Sequence, residues 1–221
     1  MGQTLHLTAR DGHVLSAYEA GDPTRPHKLV VVQEIFGVNH HIRSVCDGFA
    51  ADGFHVLAPA LFDRIRPGIE LGYTPADVKE GVALRGQIPP EAPIGDIAAC
   101  VAYFGHAPTG IIGYCWGGTV AWDAATMTDA FRCAVGWYGG GIAAHRTAHP
   151  HCPVELHFGG EDHSIPHTDV TLIRDAQPDV EMYVYDGAGH GFGCSERSSF
   201  DPEAYRLARE RSLAFLKRHL W

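Results

Sequence analysis

Residues Gly113-Tyr114-Cys115-Trp116-Gly117-Gly118 constrain this chain more than any other stretch, because they place small residues two before, two after and three after a cysteine. Glycines at that spacing let a backbone reverse sharply between a strand and a helix, and the central side chain then projects from the sheet edge. The flanks agree with that turn. Thr109-Gly110-Ile111-Ile112 is a short apolar run ending in Gly113, and Thr119 to Met127 carries alanines at helical spacing. The pattern is the nucleophile elbow G-x-S-x-G with sulfur in place of the hydroxyl. A buried core cysteine needs no such glycines, which would only weaken an ordinary element.

The rest of the chain reads as alternating strands and helices. Leu5 to Thr8 and Leu15 to Glu19 flank Asp11-Gly12, a hairpin signal. Leu29 to Val32 is a continuous apolar run of the kind covered on both faces of a sheet. Asn39 caps a helix whose apolar residues Ile42, Val45, Cys46, Phe49 and Ala50 recur at helical spacing, and Gly53 ends it. His55 to Ala58, Cys133 to Trp137, Val154 to Phe158 and Val180 to Tyr185 are further strands. Helices are expected over Ile94 to Phe104, over Pro166 to Ala176 and after Asp201-Pro202. This is a doubly wound α/β plan: a mostly parallel sheet of about eight strands with helices on both faces. Leu61 to Pro93 holds five prolines and four glycines and reads as loops over a pocket. No compositional boundary divides the chain, so residues 1–221 are expected to form one domain.

Composition narrows the function. The chain has 221 residues, 45% of them hydrophobic, enough for one sizeable core. Its 17 basic and 26 acidic residues give a formal charge of -9, and no basic block offers a footprint for nucleic acid. With no signal-peptide pattern at the start and no apolar run of membrane-spanning length, a soluble cytoplasmic protein is expected, as a monomer or small homo-oligomer. The six cysteines form no C-x-x-C pair and are expected as thiols. Fifteen histidines raise a metal-binding alternative, with His163 and His167 four apart, but Pro166 stands between them and no H-E-x-x-H is present. No metal and no cofactor are expected, since the phosphate-loop and dinucleotide patterns are also missing.

A cysteine nucleophile needs a base and a group to orient it, and after such an elbow these follow in the order acid, then histidine. Asp162 and His190 supply that order, each just beyond a strand. Glu161 and Asp186 compete with Asp162. With these residues in hand, the chain resembles the dienelactone hydrolases, or carboxymethylenebutenolidases, which are α/β-hydrolases with a Cys-His-Asp triad. The resemblance rests on Gln33-Glu34-Ile35-Phe36-Gly37, on the elbow and on Gly189-His190-Gly191-Phe192.

That resemblance implies cleavage of an enol-lactone such as dienelactone to maleylacetate, a step in aromatic compound degradation, through a thioester on Cys115. It also implies that Glu34 takes the thiol proton, and that Ile35 and Trp116 give backbone N–H groups to the oxyanion. Phe36 and Tyr138 are expected to line the substrate. Family members hold the substrate carboxylate with two arginines, one of them four residues after the histidine. Here that position is Cys194. Arg197, Lys79 and Arg85 are the candidate replacements, with Arg64 and Arg66 behind them. A broader cysteine-dependent esterase or thioesterase is therefore the alternative.

Overall fold

The Asp11-Gly12 turn opens the chain as a hairpin, in which β1 (Gln3–Thr8) pairs antiparallel with β2 (Val14–Ala20) and Thr8 stands opposite Val14. The computed structural model describes residues 2–221. It divides into two compact units, Met1–Gly110 and Ile111–Trp221.

In the first unit β3 (Lys28–Val32) is followed by α1 (His40–Ala51), β4 (His55–Pro59), α2 (Pro75–Arg85) and α3 (Ala92–Tyr103). The strand order is β1-β2-β4-β3, with β2 antiparallel and β3 parallel to β4. Every residue of β3 and β4 is buried, as strands covered on both faces require. The Asn39 side chain accepts the Ile42 N–H at the start of α1, and that helix packs on β2 and β4. A polar chain with Glu19, His55 and Lys28 buried at its centre ties this sheet to α3. Glu19 accepts from Tyr103 at 3.0 Å and from Gln3 at 2.8 Å, and His55 bridges Glu19 and Lys28 at 2.8 and 3.0 Å.

The stretch 61–93 departs from the loops expected of it. It holds a single 3-10 turn, Leu61–Arg64, then the whole of α2 and the start of α3. Two of its five prolines act as starters rather than breakers: Pro75 and Pro93 lie in first turns, where the missing N–H costs nothing. Thr74 and Asp77 close a capping box, each side chain bonding the other's backbone N–H. Val78 and Val82 face solvent, so α2 shows no apolar stripe for periodicity to detect. Arg64 is committed to structure. It makes two 2.8 Å bonds to the fully buried Asp96 and one to Asp11, whereas Arg66 is exposed.

The second unit runs β5 (Thr109–Tyr114), α4 (Trp116–Met127), β6 (Cys133–Trp137), α5 (Ile142–His145), β7 (Val154–Gly159), α6 (His167–Ala176), β8 (Glu181–Tyr185) and α7 (Pro202–Leu220). Its strands lie in the order β5-β6-β7-β8, with β6, β7 and β8 parallel. Helices α4 and α7 pack on β6, and α7 reaches β7. The expected fold class, a mostly parallel eight-stranded α/β architecture with helices around it, is the one observed. Because β7 and β8 run the same way, the loops after them emerge at one edge, where open α/β sheets carry their chemistry.

Candidate active site

Cys115 is the single residue between β5 and α4, and it holds φ 55° and ψ -115°. A side-chain-bearing residue there costs about 1–3 kcal/mol, so the surroundings must enforce it. They do so by close approach. A Cβ on Gly113 would lie 1.8 Å from the Gly117 carbonyl oxygen, and one on Gly118 would lie 2.5 Å from that of Trp137. The Cys115 N–H donates to the same Trp137 oxygen at 3.0 Å, which fixes the turn to the end of β6. Cys115 is half-buried, whereas Cys46, Cys100, Cys133 and Cys194 are 0% exposed. Trp116 is the first residue of α4, where backbone N–H groups point off the end of the helix.

The loops after β7 and β8 are stitched to each other. Gly160 N–H donates to Tyr185 O at 2.7 Å and Glu161 N–H to Ala188 O at 2.9 Å. This brings Asp162 under His190. One Asp162 oxygen accepts the Ser164 N–H at 2.8 Å, and the other lies 2.8 Å from His190 Nδ1. His190 Nε2 then lies 3.2 Å from Cys115 Sγ. Since an ionised carboxylate only accepts, Nδ1 is the donor to Asp162 and Nε2 is the nitrogen left facing sulfur. Glu161 and Asp186 are exposed, while Asp162 is buried against the ring. Ser199 Oγ donates to the His190 carbonyl at 2.7 Å and steadies the loop.

Burial pushes the His190 pKa down, but the hydrogen bonds and charges of Asp162 and Cys115 outweigh it and raise it to about 10. A proton on the imidazole gives the sulfur a cationic neighbour, and the thiolate is the nucleophilic form of cysteine.

The remaining expected residues fall in several environments. Glu34, Ile35 and Phe36 are buried just past β3, with Phe36 edge-on to Tyr73 at 4.7 Å. Lys79 and Arg85 stand exposed on α2. Arg197 is half-buried, and its guanidinium covers Gly191 so closely that a Cβ there would meet it at 2.4 Å. Tyr138, expected to line the substrate, is 0% exposed and sits edge-on to His190, with ring centroids 5.2 Å apart. It follows the last residue of β6, and its φ of 39° belongs to a buried ring packed on Phe192 as well as on the histidine. His163 and His167 are both exposed. A cleft of about 120 Å³ in the first unit contains none of these residues, and its charges are already satisfied, Arg43 by Glu70 and Asp63 by two backbone N–H groups.

One buried group has no counterpart in the sequence reading. Ser212 Oγ of α7 accepts the Trp137 indole N–H at 3.0 Å and lies 2.9 Å from His157 Nε2, whose ring also contacts Glu155 and Tyr185 at 2.9 Å. Trp137 in turn stacks on Phe192, two residues beyond His190, with centroids 5.4 Å apart. Burial lowers the His157 pKa, outweighing Glu155, so the ring stays neutral. These residues lie far apart in sequence, and a serine in a helix carries no local sign of such a role.

Residues 15–220 match the model of the dienelactone hydrolase family. The chain belongs to that family. It is 32% identical to a carboxymethylenebutenolidase of Pseudomonas putida over 226 residues, covering 96% of this chain and 94% of the relative. A carboxymethylenebutenolidase of Pseudomonas sp. strain P51 is 36% identical over 203 residues, covering 86% and 84%. Among solved structures, a Klebsiella pneumoniae chain named for dienelactone hydrolase superposes with a TM-score of 0.82 at 27% identity, with 99% of each chain covered. This dienelactone hydrolase family member is a carboxylic ester hydrolase on an α/β-hydrolase fold. Among its described residues no helix is long and apolar enough to cross a membrane.

Proposed function

We propose that the protein hydrolyses an enol-lactone of the dienelactone type through Cys115, His190 and Asp162. The observation that carries the reading is the unbroken chain of contacts from Asp162 through both nitrogens of His190 to a sulfur held out on a strained turn. The Cys115 thiolate attacks the ester carbonyl carbon, and the carbonyl electron pair moves onto oxygen. Trp116 N–H and Ile35 N–H receive that oxyanion, each worth about 3–4 kcal/mol in comparable sites. Collapse breaks the ring C–O bond, and the electron pair leaves on an enol oxygen that takes a proton from His190. The acyl group is now a thioester. With the sulfur charge gone, one cause of the raised His190 pKa is gone too, and the neutral imidazole accepts a proton from water as its oxygen attacks. Breaking the C–S bond returns the thiolate and releases the acid. Following the family resemblance, Glu34 receives the thiol proton when the thiolate first forms and returns it when the resting thiol is restored, while His190 carries the protons of each turnover.

For the substrate carboxylate we assign Arg197. It lies in the histidine loop against Gly191, whereas Lys79 and Arg85 are exposed on α2 and position 194 is a buried thiol. A single arginine in place of two favours a wider substrate range, which keeps a general cysteine esterase as the second reading. Arg197→Gln is expected to raise KM for a carboxylate-bearing lactone roughly tenfold while leaving a neutral aryl ester within about twofold, since it removes one charge-assisted contact made in ground and transition states alike. Equal effects on both substrates, or none on either, would show that Arg197 does not hold the carboxylate, and efficient turnover of neutral esters alone would favour the second reading.

A further inference from the structure

We propose that Tyr138 is a positioning residue, whose ring closes off the far side of the His190 imidazole and keeps it in line between Asp162 and Cys115. This rests on the reading of those three groups as the reacting ones. His190 is held through its two ring nitrogens, by Asp162 at 2.8 Å and Cys115 Sγ at 3.2 Å, and a thioester on that sulfur would leave the Asp162 bond to orient a ring able to swing about its side-chain torsions. The Tyr138 ring packs against it with centroids 5.2 Å apart and planes at 62°.

The backbone around Tyr138 is built to keep the ring there. Its φ is 39°, in the left-handed region that side chains avoid, and its N–H is fixed to His157 O of β7 at 2.7 Å. Such an outlier persists only where its neighbours over-determine it, and it is characteristic of functional positions. The ring also packs on Phe192 at 5.4 Å. A Cβ on Gly193 would come within 2.7 Å of the Trp137 ring and 3.1 Å of the Tyr138 hydroxyl, so the histidine loop lies directly on this pair. Adjacent residues at the end of β6 thus serve both partners: the Trp137 carbonyl holds the Cys115 N–H, and the Tyr138 ring backs His190. Trp137 is anchored from the other side by Ser212. With 0% exposure, Tyr138 presents no surface to an arriving substrate.

The titratable groups that act on His190 are Asp162 and Cys115, so the Tyr138 ring contributes packing rather than charge.

The test compares Tyr138→Leu with Tyr138→Phe on a neutral aryl ester, with thermal unfolding of each. Tyr138→Leu is expected to lower kcat roughly 10- to 100-fold, the range for an ångström-scale misplacement, with KM within about threefold. Tyr138→Phe keeps the ring and is expected to recover kcat to within about threefold of the parent. The unaltered protein should show nuclear Overhauser contacts between the Tyr138 and His190 rings, which decides the matter if Tyr138→Leu does not fold. Parent-like kcat in Tyr138→Leu, equal losses in both variants, or no ring-to-ring contact would overturn the proposal. Retained turnover in Cys115→Ala would instead sink the underlying reading, whereas an inactive Cys115→Ala beside a fully active Tyr138→Leu removes this proposal alone.

Discussion

Cys115→Ala is expected to lower kcat/KM for an aryl ester by roughly 10⁴-fold, about 5.5 kcal/mol of transition-state stabilisation. Such a loss is the one expected if the sulfur forms the covalent bond, as proposed. What remains is the rate supported by the oxyanion donors and by binding, which stay in place. The same position makes a second demand that separates chemistry from folding. Cys115 sits at φ 55° and ψ -115°, a conformation that glycine adopts without the side-chain penalty. Cys115→Gly should therefore be as inactive as the alanine variant and yet more stable than the parent by about 0.5–2 kcal/mol, after glycine's extra chain entropy is set against the relieved strain. In a chain of this size that is a rise in Tm of roughly 1–8 °C. Initial rates and thermal unfolding of the two variants read both effects. An active alanine variant, or a glycine variant less stable than alanine, contradicts the account of the elbow.

His190→Gln is expected to abolish turnover on a comparable scale and, in addition, to change how stability depends on pH. In an unfolded chain imidazole gives up its proton near 6.5, but in the folded protein His190 keeps its proton up to about 10. Between those values the folded state binds more protons than the unfolded state, so stability falls as pH rises. The contribution is complete below 6.5 and gone above about 10. Its size is roughly 2–5 kcal/mol. Burial raises the pKa values of Cys46, Cys100 and Cys133 and takes that of Cys152 to about 11, which makes stability fall with alkali in the same direction. Those thiols are common to both proteins. The difference between parent and His190→Gln in urea unfolding, followed from near pH 6.5 to near pH 10, isolates the histidine. Parallel curves would mean that His190 is not held in its protonated form by Asp162 and Cys115.

The sequence reveals most where a local signal and the global fold agree. Asp11-Gly12, Asn39 and Asp201 each announce their element by side-chain or backbone chemistry within a few residues, and each element forms there, with Asp201 accepting the Glu203 and Ala204 N–H groups at the start of α7. The elbow is legible for the same reason, since Gly113 and Gly118 answer to contacts only a few ångströms away. Helix α2 was hidden because two signals conflicted. Its proline and glycine content argued for loops, its exposed valines erased the periodicity, and the Thr74-Asp77 box that starts it is visible only if Pro75 is taken as a first-turn residue. Side-chain direction was the other gap. Arg64 and Arg66 are equivalent as letters, yet one closes on Asp96 and the other faces water. Similarly, Tyr138 reads as a pocket aromatic, yet its ring is fully buried against His190 and Phe192. Long-range partners such as Trp137 and Ser212, 75 residues apart, have no sequence sign at all.

Acid quenching during turnover of a slowly hydrolysed aryl ester, followed by peptide mass mapping, tests the central claim most directly. The account predicts one acyl group per chain, carried as a hydroxylamine-labile thioester on the peptide containing Cys115. An acyl group on a serine or histidine instead, or undiminished turnover after Cys115 has been fully alkylated, would contradict it.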